Sequence, residues 1–175
     1  MNFIVNNKNY KVIKLLGKGK GGYSYLCLSN SHYFVIKKLH HEPCDYYKFS
    51  NKFESEINSY NKLLELNIKI PKMYDADSEQ EIIVKEYIEG NTIDYYVSNN
   101  LMKDKYLNQV KEMQKIVCAK NINLDYFPTN FVVNNDSLFY IDYEINEYMD
   151  KWNFENWGKL YWSLTPEFKK HFKIK

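Results

Sequence analysis

A glycine-rich run, Leu16-Gly17-Lys18-Gly19-Lys20-Gly21-Gly22, leads directly into the β-prone stretch Tyr23-Ser24-Tyr25-Leu26-Cys27-Leu28, and this order most narrows the folds open to the chain. The spacing G-x-G-x-x-G through Gly17, Gly19 and Gly22 opens a helix in dinucleotide-binding domains. Here residues of strand type follow, so the run reads as the turn of a strand-turn-strand flap. Such a flap brings backbone N–H groups close to phosphates, because glycine places no side chain in the way. Taken alone, the pattern is equally well explained as a flexible hairpin.

The hydrophobic period supports strands on either side of that turn. Residues 10–16 alternate imperfectly, and residues 32–39 are rich in β-branched and aromatic types. From Phe49 onward the period lengthens, and Phe53, Ile57, Tyr60 and Leu64 fall at helical spacing until Pro71 closes the region. Residues 82–88 return to strand character and end in the turn Glu89-Gly90-Asn91. Met102, Tyr106, Val110, Met113 and Val117 predict a second long helix. Residues 131–133 and 138–141 flank Asn134-Asn135-Asp136-Ser137 as a hairpin. Trp152, Phe154, Trp157, Leu160, Tyr161 and Trp162 predict an aromatic final helix or helix pair that supplies core.

With 175 residues the chain can form one domain, or two small lobes sharing a cleft. A hydrophobic fraction of 45% spread along its length excludes a disordered chain. No signal peptide is visible and no stretch reaches the ~18 apolar residues of a membrane span, so a soluble, cytoplasmic protein without a membrane partner is expected. Cys27, Cys44 and Cys118 are scattered without the paired spacing of a zinc site and read as reduced thiols. The net charge is +2, yet every basic side chain is Lys and no Arg occurs. Without that planar fork, sequence-specific recognition of nucleic acid is not expected.

Three polar residues near the end carry the chemistry. Asp125 and Asn130 lie in Asn123-Leu124-Asp125-Tyr126-Phe127-Pro128-Thr129-Asn130, and Asp142 lies in Phe139-Tyr140-Ile141-Asp142-Tyr143-Glu144. As isolated residues, Asp125 and Asn130 are ordinary turn formers. As a set, they are an acid for an attacking hydroxyl and an amide and a second acid for magnesium held between nucleotide phosphates. Upstream, Lys37 occupies a strand expected to be buried on both faces and therefore needs an anionic partner, for which Glu56 on the first helix and nucleotide phosphates are the candidates. Lys38 and Glu54 are the competitors one strand face and about half a helical turn away.

In this order the motifs resemble those of the protein kinase-like superfamily over residues 10–145. The resemblance implies an α+β, two-lobe kinase-like fold spanning residues 1–175. Residues 1–86 would form an antiparallel β N-lobe with one helix, 87–90 a hinge, and 91–175 a shortened, mostly helical C-lobe. It implies ATP and Mg²⁺ as cofactors: Gly17, Gly19 and Gly22 over the phosphates, Val35 against the adenine, Glu86 and Ile88 as hinge contacts, and Lys37 with Glu56 on the phosphates. Asp125 would be the catalytic base, with Asn130 and Asp142 on the metal. Phe127 replaces the lysine usual in serine/threonine kinases, and Tyr143-Glu144 follows Asp142 as in aminoglycoside- and choline-kinase-like enzymes. Three functions stay open: a minimal serine/threonine kinase-like enzyme, a small-molecule kinase, and a non-catalytic ATP-binding module. The phosphate acceptor, protein or small molecule, is unread.

Overall fold

A computed structural model of the chain describes residues 1–42 and 51–174; Cys44 and Phe49 lie outside them. The chain divides into two compact units, residues 1–60 with 71–87 and residues 61–70 with 88–175. In the first unit, strands β1 (Asn2–Val5), β2 (Lys8–Lys18), β3 (Gly22–Ser29), β4 (His32–Leu39), β5 (Met73–Asp77) and β6 (Ile82–Glu86) form one six-stranded sheet of order β1-β2-β3-β4-β6-β5. Every neighbouring pair is antiparallel.

Asparagine builds the tight turns. Val5 faces Lys8 across Asn6-Asn7, and Ser29 faces His32 across Asn30-Ser31, all four turn residues having positive φ. That geometry matches the right-handed twist of the strands it joins, and Asn tolerates it better than most residues.

Strand parity gives the sheet two chemically different faces. Val5, Tyr10, Cys27, Ile36, Ile82 and Val84 form a buried apolar cluster on one side. Val35, Lys37, Ile83 and Lys85 share the other, since Val35 pairs with Lys85 and Lys37 with Ile83.

Helix α1 (Lys52–Glu65) starts where the Asn51 side chain accepts a hydrogen bond from the Glu54 N–H at 3.1 Å. Its buried face differs from the apolar stripe expected. Lys52, Ser59 and Leu63 are buried, whereas Leu64 is exposed. The helix is turned by about one residue because Glu56, between Lys52 and Ser59 on that face, is drawn to Lys37.

The second unit contains β7 (Asn91–Thr92), α2 (Ile93–Ser98), α3 (Asp104–Cys118), β8 (Ile122–Leu124), β9 (Phe131–Asn134), β10 (Ser137–Tyr140), β11 (Ile145–Glu147) and α4 (Pro166–Phe172). The strands form a β10-β9-β7 sheet and a β11-β8 pair. On α3 the expected positions Tyr106, Val110, Met113 and Val117 are the buried ones. The β9–β10 hairpin turns through Asn135-Asp136, again at positive φ. Gly90 has φ of 153°, and a Cβ there would lie 2.0 Å from the Val133 carbonyl oxygen, so only glycine fits beside β9.

The aromatic final helix is not formed over residues 152–162. Two 3-10 turns, Asp150–Trp152 and Gly158–Tyr161, occupy that stretch, and the last helix begins only at Pro166. Asn153 is the reason: its side chain accepts from the Asn156 N–H at 2.7 Å and its carbonyl from Trp157 and Gly158. Asn thereby offers the backbone an alternative to helix bonds. Phe154 and Trp162 still supply core, while Trp152 stays 46% exposed.

Candidate functional site

The glycine-rich run forms the β2–β3 turn. Gly17 pairs with Ser24 and Lys18 with Tyr23, and the Gly19 N–H donates to the Gly22 oxygen at 2.9 Å. The four glycines exist for different reasons. At Gly22 a Cβ would sit 2.6 Å from the Lys38 oxygen, so the approach of β4 forbids a side chain. At Gly17 and Gly21 a Cβ would meet nothing within 4 Å, and at Gly19 only the Gly22 oxygen at 3.8 Å. None of the four has positive φ. Neither packing nor backbone conformation accounts for glycine at 17, 19 and 21, and the space a Cβ would fill is what a phosphate-binding loop requires.

Side chains outside the turn clasp it. Lys18 Nζ lies 2.7 Å from Glu42 Oε2 and 5.1 Å from the centre of the Tyr23 ring, and the Tyr23 hydroxyl donates to Glu42 Oε1 at 2.6 Å. The hydrogen bonds from Lys18 and then Tyr23 hold the Glu42 carboxyl down at about 2, and the same contact with Glu42 pushes the Lys18 ammonium up.

On the polar face of the sheet, Lys37 is 8% exposed and its ammonium is ion-paired with Glu56 Oε1. Lys38 points the other way and donates to the Gln80 carbonyl, and Glu54 is exposed. Parity therefore places Lys37 and Glu56 together and separates both competitors. Glu56 Oε2 is buried with no hydrogen-bond partner among the described residues, so the carboxylate retains acceptor capacity. Val35 lies two residues before Lys37 on the same face, and Glu86, at the end of β6, pairs with Phe34 and accepts from the Lys72 N–H at 3.0 Å. Ile88 is buried in the second unit.

Within the second unit the three polar residues converge. After β8, Asp125 Oδ1 accepts from the Phe127 N–H at 3.1 Å, and Pro128 starts the 3-10 turn Pro128–Asn130. Asn130 Nδ2 donates to the Asp125 carbonyl at 3.3 Å, which orients its Oδ1 as the remaining acceptor. The Asn130 carbonyl accepts from the Ile141 N–H at 2.9 Å, fixing Asn130 beside the segment that carries Asp142. Asp142 Oδ1 itself accepts from the Tyr143 N–H at 2.8 Å.

Tyr140 joins the two segments. Its buried hydroxyl donates to the Glu144 carbonyl at 2.6 Å and accepts from the Asp125 N–H at 3.3 Å. Burial, followed by the negative charge of Asp142, Asp125 and Glu144, pushes this phenol well above its ordinary range, so it stays a donor. Among the described residues no cluster of three His, Cys, Asp or Glu forms a ready-made metal cage. Asp142 and Asn130 offer hard oxygen donors, a set that fits magnesium completed by water and phosphate oxygens.

Phe127 fills the position next to this loop with an aromatic cluster. Its ring lies 5.2 Å from Tyr161, 4.8 Å from His171 and 5.8 Å from Phe172, so α4 packs against the residue that holds Asp125. Two residues escape sequence reading. Tyr140 carried no signal beyond a hydroxyl at a strand end two positions before a carboxylate. Lys85, 5% exposed and cross-strand from Val35, gave as its one signal a lysine directly after the apolar run Ile82-Ile83-Val84.

No helix among the described residues is long and apolar enough to cross a membrane. Compared with known proteins, residues 32–167 match the ABC1 atypical kinase-like domain. Over 79 residues, 45% of this chain, there is 28% identity to the EKC/KEOPS complex subunit bud32 of Dictyostelium discoideum, and the match spans 31% of that relative's length.

Proposed function

The chain belongs to the family of ABC1 atypical kinase-like domains, within the protein kinase-like superfamily, and from that premise we propose that it is an ATP- and magnesium-dependent phosphotransferase, a minimal serine/threonine kinase-like enzyme of the cytoplasm. The observation that carries this reading is that backbone and side-chain hydrogen bonds tie Asn130 to Asp125 and to Ile141, the residue before Asp142, while the Tyr140 hydroxyl links the Asp125 N–H to the Glu144 carbonyl.

Each residue has a role that its surroundings support. Asp125 has Oδ1 engaged by the Phe127 N–H, which fixes its rotamer and directs its charge toward an acceptor hydroxyl, whose proton it takes as attack proceeds. Asn130 and Asp142 hold magnesium through Oδ1 and carboxylate oxygens. Magnesium bound with ATP supplies charge neutralisation on the phosphates. Lys37, oriented by Glu56, holds the α- and β-phosphates, and the turn of Gly17, Gly19 and Gly22, which carries no side chains at these positions, lies over them. Val35 packs on the adenine, with Glu86 and Ile88 meeting its edge. Residues 1–86, 87–90 and 91–175 serve as N-lobe, hinge and shortened C-lobe. Positioning and electrostatics do the catalytic work.

A second reading, a kinase for a small metabolite, is favoured by Phe127, an aromatic residue packed against Tyr161 and His171 at the position where protein kinases of the serine/threonine type carry a lysine. The test is incubation with γ-labelled ATP and magnesium, alone and with protein or metabolite pools. Label transfer that disappears in Asp125→Ala and Asp142→Ala is expected, and the pool that accepts label decides between the two readings. Tight ATP binding without turnover in any pool would overturn both in favour of a non-catalytic ATP-binding module.

A further inference from the structure

We propose that His40 is a positioning residue for the nucleotide: its imidazole and backbone hold the glycine-rich turn in the shape that receives phosphates. The inference rests on the phosphotransferase reading and adds to it a residue outside the motifs of that site.

His40 follows β4 and makes four bonds from one residue. Its Nε2 lies 3.1 Å from the Gly19 carbonyl, and its N–H donates to the Gly21 carbonyl at 3.2 Å. Its Nδ1 accepts from the Glu42 N–H at 3.3 Å, and its own carbonyl accepts from the buried Lys52 ammonium at the start of α1. Because Nδ1 is an acceptor, the ring proton sits on Nε2, and Nε2 donates to Gly19. Residue 40 thus links Lys52 on α1, through its backbone carbonyl, to the two carbonyls that flank Lys20, the imidazole bonding that of Gly19 and the backbone N–H that of Gly21. Tyr23, with ring centres 5.1 Å apart, packs against the imidazole and links it to Glu42 and Lys18.

The turn needs such a hold. Gly17 pairs with Ser24 and the Gly19 N–H bonds the Gly22 oxygen, but a Cβ at Gly17, Gly19 or Gly21 would meet almost nothing, so side-chain packing does not fix the turn. A glycine segment held by so little would have to be ordered further when phosphate binds, at a cost in backbone entropy. Bonds to Gly19 and Gly21 remove part of that ordering in advance. They also turn those two carbonyls toward His40, so that they do not point at the phosphates, where an oxygen would repel.

Asn and Gln distinguish this role from general stability, because the Gln amide reaches the place of Nε2 and the Asn amide only that of Nδ1. On the full chain, His40→Ala and His40→Asn should weaken Mg-ATP binding about tenfold, the effect of one or two lost hydrogen bonds. His40→Gln should stay within roughly threefold of wild type. For the active enzyme the loss should appear in KM for ATP, with kcat at saturating ATP unchanged. Without nucleotide, amide exchange at Gly19 and residue 40 should quicken in the Ala and Asn variants and be restored in the Gln variant. Equal ATP affinity in wild type, Ala and Asn variants would overturn the proposal, as would a Gln variant as weak as Ala. If the wild type binds no Mg-ATP, the phosphotransferase reading itself has failed, and this inference falls with it.

Discussion

The glycine-rich turn and the Asp125–Glu144 region are both built from backbone close to side-chain hydroxyls and carboxylates, yet they are held in opposite ways. The turn is held from outside, by exposed Lys18 and Glu42 and half-buried Tyr23 and His40, with open space over Gly17 and Gly21. The Asp125 region is held from inside, by the buried Tyr140 hydroxyl and by Gly158, where a Cβ would meet Tyr126 at 2.7 Å. The difference teaches where a ligand is still needed. A region satisfied by its own contacts is preformed; a region with glycines that its own packing does not explain is shaped for something that comes to it.

The sharpest way to break this contrast is to add one methyl group in each region. Gly158→Ala drives a Cβ to 2.7 Å from Tyr126 and 2.8 Å from Phe154, and should cost about 3 kcal/mol, read as a large drop in the urea midpoint. Tyr140→Phe comes next: it strands the Asp125 N–H and the Glu144 carbonyl, and a loss of about 1–3 kcal/mol is expected by denaturant melting. Gly17→Ala and Gly21→Ala should leave stability unchanged or raise it by up to about 1 kcal/mol, through the unfolded chain, while Mg-ATP affinity measured by calorimetry falls. A clear stability loss at Gly17 would erase the contrast.

The smallest effect concerns the clasp. Glu42 is held at about 2, below the roughly 4.3 of a free glutamate. A carboxyl lowered in the folded state stabilises fully above the unfolded value, and that contribution is lost as pH falls through 4 toward 2. Glu42→Gln should therefore melt slightly lower than wild type at pH 6–8 and alike near pH 2, a small gap because the pair is exposed. A gap that widens in acid would reverse the assigned sign.

Much of the first unit was legible because strand parity is a strict rule. Once β4 pairs with β6, Lys37 must face away from Ile36, and Glu56 on α1 meets it there. The face of α1 was less legible, since its apolar stripe pointed to Phe53 and Leu64 while an ion pair, a tertiary fact, turned Glu56 inward. The aromatic tail was misread for a local reason. Asn153 closes turns with its own side chain, and the density of Trp and Phe reported burial without reporting helix. Asp125, Asn130 and Asp142 were visible as residue types at a spacing. Tyr140, which gathers them, was not, because a tyrosine at a strand end has no pattern of its own until the chain has folded around it.

That hydroxyl has a consequence for anyone rebuilding this protein. Residues 123–130 and 140–144 meet at one buried oxygen, and their dependence on each other is one-sided. The first stretch contributes a backbone N–H, which a replacement segment without proline at position 125 supplies again, so it can be exchanged while Tyr140 stays. The second stretch contributes the hydroxyl itself, and a chimera that imports residues 140–144 without a tyrosine at position 140 should be the one that fails.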